Sequence, residues 1–160
     1  MDWSDPKRGV QVSQNQAARL LRERQLYCVW SGKRLRKKSI DIDHCLPWSV
    51  WSCGDLWNLM PAHPDVNRNK KRNLLPSEAV MDTAQDRILD WWNRAYYRGG
   101  SLKEKFLIEA TSSLPGVPAD TDSLEEIFES LCLQRAKLRR DQRAPEWDGL
   151  SAGSRRGEYD

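Results

Sequence analysis

The stretch Asp41-Ile42-Asp43-His44-Cys45-Leu46-Pro47-Trp48-Ser49 sets an acid directly before a histidine, and Asp55-Leu56-Trp57-Asn58-Leu59-Met60-Pro61 and Asp65-Val66-Asn67-Arg68-Asn69-Lys70 follow it. His44, Asn58 and Asn67 are the polar anchors of these three segments. A carboxylate beside an imidazole at a strand end puts a hard oxygen ligand next to a proton acceptor, and a second oxygen donor on a nearby helix could close a divalent-metal site from the other side. Such a site suits hydrolysis of a phosphodiester. The metal would neutralise a nonbridging phosphate oxygen and the departing oxygen, while an imidazole that is neutral near pH 7 takes a proton from the attacking water.

These residues resemble the HNH nucleases of the ββα-metal superfamily, whose pattern is Asp-His at the end of the first strand, Asn in the second, and His or Asn on the following helix. The resemblance implies His44 as general base, Asp43 and Asn67 as ligands of one magnesium or manganese ion, and Asn58 as the residue that ties the loop and holds the histidine in position. Lys70, one turn after Asn67, falls where such proteins often carry a base that meets the phosphate. Tyr27-Cys28-Val29-Trp30-Ser31-Gly32-Lys33 is similar to the knuckle that commonly precedes the motif, and Leu46-Pro47-Trp48-Ser49 to its usual continuation. The resemblance covers about residues 26 to 76. Many such nucleases hold the fold with two CxxC pairs, whereas Cys28 is isolated here, so structural zinc is not expected. Asn in place of His at the third motif position leaves oxygen ligands, which favour magnesium or manganese. With two protein ligands, water and substrate phosphate must complete the shell, so affinity without nucleic acid should be weak.

Other residues near the motif carry two readings each. Asp41 shares a strand face with Asp43 and is either a further ligand or, as preferred here, a polar strand end. His63 caps the next helix, touches phosphate or lies idle, and stays outside the catalytic set. Trp48, Trp51 and Trp57 could stack on bases, but a small module needs aromatic bulk in its core. Arg34, Arg36, Lys37 and Lys38, with Arg68, Lys71 and Arg72, are the candidates for tracking phosphates, a role that fixes position without reading sequence.

The elements that position this chemistry are legible from period and caps. Residues 1–25 read as a basic helical extension, with Ala17, Leu20 and Leu21 at helical spacing from Ser13 to Arg24. Residues 26–76 form the nuclease core: Tyr27–Trp30 and Ile40–His44 as brief strands, Leu56–Met60 as a third apolar stretch ended by Pro61, and a short helix from Pro64. Residues 77–112 read as a helical wrap, capped by Ser77, stopped at Gly99-Gly100, and resumed with a Ser101/Glu104 capping box to about Ala110. Residues 113–123 read as a linker, and 124–142 as a helix behind a Ser123/Glu126 capping box, whose Leu124, Ile127, Phe128, Leu131 and Leu138 must dock on the core or on a partner. Residues 143–160 read as a flexible tail. The expected fold is α+β, a small ββα-metal core with flanking N- and C-terminal helices.

The composition agrees with one domain. The chain has 160 residues, 39% of them apolar and 31% charged, which excludes disorder throughout and leaves no stretch long enough to span a bilayer. A soluble, cytoplasmic protein is expected. The net charge of +3 hides an asymmetry, because residues 1–40 carry ten Lys/Arg against three Asp/Glu. Such a surplus suits a polyanion. The resemblance implies a metal-dependent endonuclease that nicks or cuts DNA, in restriction or phage defence, with RNA not excluded as substrate. The alternatives are an RNase, or a catalytically silent nucleic-acid-binding or assembly module. A protein partner or a homodimer would use the C-terminal helix.

Overall fold

In the computed structural model, which describes residues 6–98 and 100–150, the order is α1 (Pro6–Arg22), β1 (Asp41–His44), β2 (Leu59–Ala62), β3 (Leu75–Pro76), α2 (Glu78–Trp92), α3 (Leu102–Ser113), α4 (Leu124–Gln142) and β4 (Glu146–Trp147). The fold is α+β. Expectations for residues 1–5, Gly99 and 151–160 lie outside the described residues.

α1 starts at Pro6, earlier than Ser13, and buries Gly9, Ser13, Ala17 and Leu20 along one stripe. A Cβ on Gly9 would lie 2.4 Å from the Gly54 carbonyl oxygen, so only glycine lets the helix press this closely on the loop between β1 and β2. The helix stops before Arg24 because Arg24 takes a positive φ of 56° and the Gln25 amide closes on the Leu20 carbonyl. Tyr27–Trp30, expected as a strand, is instead a knuckle with one bridge, Tyr27 to Arg34. Its turn is set by the Gly32 amide on the Cys28 carbonyl and the Cys28 amide on the Lys33 carbonyl, both at 2.8 Å. Arg87 of α2 clamps it from outside, donating from Nε to the Val29 carbonyl at 2.7 Å.

β1 and β2 pair antiparallel, Asp41 opposite Ala62 through His44 opposite Leu59. Pro61 does not end the apolar stretch but sits inside β2. Its carbonyl faces away from β1 and accepts from the Val29 amide, so the N–H that proline lacks lies on the side where β1 needs no donor. After Pro64 the chain makes a wide helical turn, Val66–Lys71, closed by the Arg72 amide on the Asn67 carbonyl. His63 Nδ1 accepts the Asp65 amide at 3.1 Å, which gives that histidine the capping role.

Ser77 caps α2, accepting from the Val80 amide, and α2 runs as regular helix only to Trp92 before widening through Asn93–Tyr97. Ser123 caps α4 in the same way, whereas Ser101 makes no cap bond and α3 runs on to Ser113. Both caps depend on chemistry within four residues, which is why they could be read locally.

Two expectations about the C-terminus are corrected. The apolar face of α4 is not offered to a partner: Ile127, Phe128, Leu131 and Leu138 are buried in the chain's own core, with Phe128 edge-on to Trp92 of α2. The stretch after Arg143 is not a flexible tail as far as residue 150. β4 lies parallel to β3, the Leu75 amide donates to Pro145 and the Ser77 amide to Trp147, and Glu146 is held by Arg135 and Arg139 at 2.8 and 3.1 Å. Trp147 is buried with its ring at 90° to Trp30, 6.0 Å between centroids. Trp147→Ala should therefore cost about 3–5 kcal/mol in chemical denaturation, as for other buried aromatic truncations, whereas a mobile tail would show no change.

Candidate active site

Alternation along β1 puts Asp41 and Asp43 on one face, and the Val66–Lys71 turn covers that face. Asn67 donates from Nδ2 to Asp41 Oδ2 at 2.9 Å. Arg68 grips the same carboxylate bidentately, Nε to Oδ2 at 2.9 Å and Nη2 to Oδ1 at 2.8 Å. Four residues after Asn67, the Lys71 ammonium meets Asp43, 3.1 Å from Oδ2 and 3.4 Å from Oδ1, and donates to the His44 carbonyl at 3.0 Å. Trp30 completes the cage, its indole N–H 2.9 Å from Asp43 Oδ2 and its ring 5.5 Å from the ammonium.

Lys71 is fully buried, so its expected role in tracking phosphate is corrected: it touches Asp43 and the backbone, and a phosphate cannot reach it. Arg34, Arg36, Lys37, Lys38, Arg68 and Arg72 are exposed. Lys70 is half-buried. Asp41, read as a polar strand end, holds the Asn67 amide and thereby sets its orientation. From sequence alone Trp30 carries no task and Lys71 reads as a phosphate contact. The spacing of four between Asn67 and Lys71 was the available signal for the lysine, since it puts both on one helical face. For Trp30 no local signal exists, because its partner lies thirteen residues away.

Asn58 is wholly buried. Its Oδ1 accepts the Leu46 amide at 2.8 Å, and its Nδ2 donates to the Leu46 and Cys53 carbonyls at 3.1 and 2.9 Å. One side chain thus ties both arms of the loop that leaves His44, while the Cys45 amide donates to the Asn58 carbonyl. His44 is half-buried, with Nε2 enclosed and without a hydrogen-bond partner, and its ring stands edge-on to Trp48 at 5.7 Å. Burial, reinforced by the Lys71 charge and opposed by Asp43, lowers its pKa below the usual histidine value. Burial pushes the Asp43 carboxyl up, against the pull of Lys71 and the Trp30 N–H. Of the three tryptophans near the motif, Trp57 is core, Trp51 is half-buried, and Trp48 is exposed.

The donor set suits a hard divalent cation. Asp43 Oδ1 takes the longer of the two lysine contacts, and an Asn67 amide that donates through Nδ2 keeps Oδ1 as its acceptor end. Among the described residues there is no cluster of three or more His, Cys, Asp or Glu able to hold a metal, and Cys28, Cys45, Cys53 and Cys132 are free thiols.

Residues 28–77 match the family model for HNH endonucleases, a span that contains every residue of this site. No curated protein and no solved structure matches the chain. Over that span the chain is similar to HNH endonucleases, a class that acts on nucleic acid, and α1, α2, α3, α4 and β4 lie outside the match. No helix among the described residues is long and apolar enough to cross a membrane.

Removing one member of a buried ion pair leaves the other charge uncompensated, so Lys71→Ala should cost about 3–5 kcal/mol. With both variants followed by urea titration, the exposed Arg72→Ala should stay within about 0.5 kcal/mol of the parent. Equal effects would show that Lys71 is not the clamp described.

Proposed function

We propose that the protein is a metal-dependent endonuclease that hydrolyses phosphodiester bonds in DNA, with His44 as general base and one magnesium or manganese ion held by Asp43 and Asn67. The observation that carries this reading is that an acidic strand face and the amide-bearing turn opposite it are clamped together by Lys71 and Asp41, with His44 as the next residue of the strand. When bound, the ion would offset charge on the phosphate and on the departing oxygen. Because Lys71 already compensates Asp43, a cation there meets a carboxylate with part of its charge spent, which fits weak binding until a phosphate adds its own. His44, kept neutral by burial, accepts the proton of the attacking water at Nδ1, the ring nitrogen that is not enclosed. Asn58 fixes the loop, and Asp41 holds the Asn67 amide at its angle.

The same lysine favours a second reading, a nucleic-acid-binding module without turnover in which the ammonium takes the cation's place. Supercoiled plasmid incubated with magnesium, manganese or chelator separates the two. The parent should nick only with metal, and His44→Ala should lose about a hundredfold to ten-thousandfold in rate while melting like the parent. Salt-sensitive binding without nicking would favour the silent module. Single-stranded, duplex and RNA substrates digested in parallel test the choice of DNA.

A base must be unprotonated to work, and the His44 pKa lies below the usual histidine value of about 6.5. The acidic limb of the nicking rate should therefore fall below about pH 6.5, with a level profile above it until another group intervenes. A limb centred clearly above that value would contradict the assignment.

A further inference from the structure

Beside the candidate site, α1, the basic loop after the knuckle and the outer edge of β1 enclose a groove of about 1030 Å³. Its floor is aliphatic, formed by Val10, Leu21, Leu35, Ile40 and Ile42. Its rim carries Arg22, Arg24, Arg34, Arg36 and Lys37. None of these five side chains has a hydrogen bond or an ion pair with the described residues, whereas Arg19, Arg68, Arg94, Arg135 and Arg139 are each matched to a carboxylate. The one acid in the lining, Asp41, is neutralised by Arg68 and bonded to Asn67, so the groove opens at the site without losing its positive potential.

We infer that this groove binds a single-stranded nucleic acid, phosphates on the rim and base faces on the aliphatic floor. Five unmatched cations are complementary to a phosphate chain, and an apolar floor is of use only to a strand whose bases are unstacked from a partner. A duplex would reach the rim but leave the floor uncovered. Half of the lining residues, on α1 and at Arg24, precede residues 28–77, so the groove adds to the matched segment. The assignment rests on the nuclease reading only for the direction in which the strand leads.

Fluorescence anisotropy in chelator, where no cutting occurs, measures binding of labelled oligothymidylate, a hairpin duplex of equal length and an oligoglutamate peptide. The variants are Arg34→Ala/Arg36→Ala/Lys37→Ala, and Ala18→Glu, which sets a carboxylate at an exposed helix position on the groove wall. The triple variant should weaken oligothymidylate binding roughly tenfold or more and reduce the log–log salt slope by about one per cation removed. Ala18→Glu should weaken the single strand more than the duplex, with the parental melting temperature. Unchanged oligothymidylate binding in both variants, or tighter binding of duplex or oligoglutamate lost through the same substitutions, would overturn the assignment. Loss of single-strand binding in the variants of a parent that never nicks plasmid would sink the nuclease reading and support the groove. Nicking by a parent whose variants bind normally would do the reverse.

Discussion

A lysine ammonium without solvent contact, wedged between the Asp43 carboxylate, the His44 carbonyl and the face of Trp30, is the constraint on which the site depends. Burying both charges is costly, and they are retained only where additional hydrogen bonds complete each partner. Here the indole N–H and the strand carbonyl supply them. The consequence is geometric. The turn that carries Asn67 cannot slide along β1 without parting a charge pair in a low-dielectric interior, so the register between amide and carboxylate is fixed by the same contact that fixes the end of the strand.

Support for that contact reaches the site from elements outside residues 28–77. Trp147 on β4 packs edge-on against Trp30, and β4 is secured by Arg135 and Arg139 of α4. α2 holds the knuckle through Arg87, and β2 through the Trp91 N–H on the Leu59 carbonyl at 2.9 Å. The knuckle is therefore shaped by backbone turns and an arginine clamp. A two-stranded sheet of four residues per strand buries too little to stand alone, and the helices provide the interior it lacks.

The parts legible in the sequence were those decided locally. Ser77 and Ser123 accept amides three residues on, and the Asp-His, Asn and Asn spacing carried a resemblance that the family model also finds. β1 was visible from its alternation of Ile and Asp. What stayed hidden was set by distant partners. Lys71 looks like one more base in a basic run, and only the arrival of β1 shows that it is buried. Glu146 and Trp147 have no periodicity of their own, and they are ordered because β3 and two arginines of α4 wait for them. Tyr27–Trp30 has strand-like composition, yet Gly32 at a φ of 75° turns the chain before a second pairing can form.

The most direct measurement is paramagnetic broadening by manganese on isotope-labelled protein, followed at side-chain amides and histidine ring protons. If the carboxylate and amide held in register by Lys71 form a cation site beside the imidazole, broadening should begin at the Asn67 side-chain amide and the His44 ring and should spare the Asn58 amide until higher concentrations. Broadening that begins elsewhere, or that is unchanged at the His44 ring in Asn67→Ala, would contradict the account.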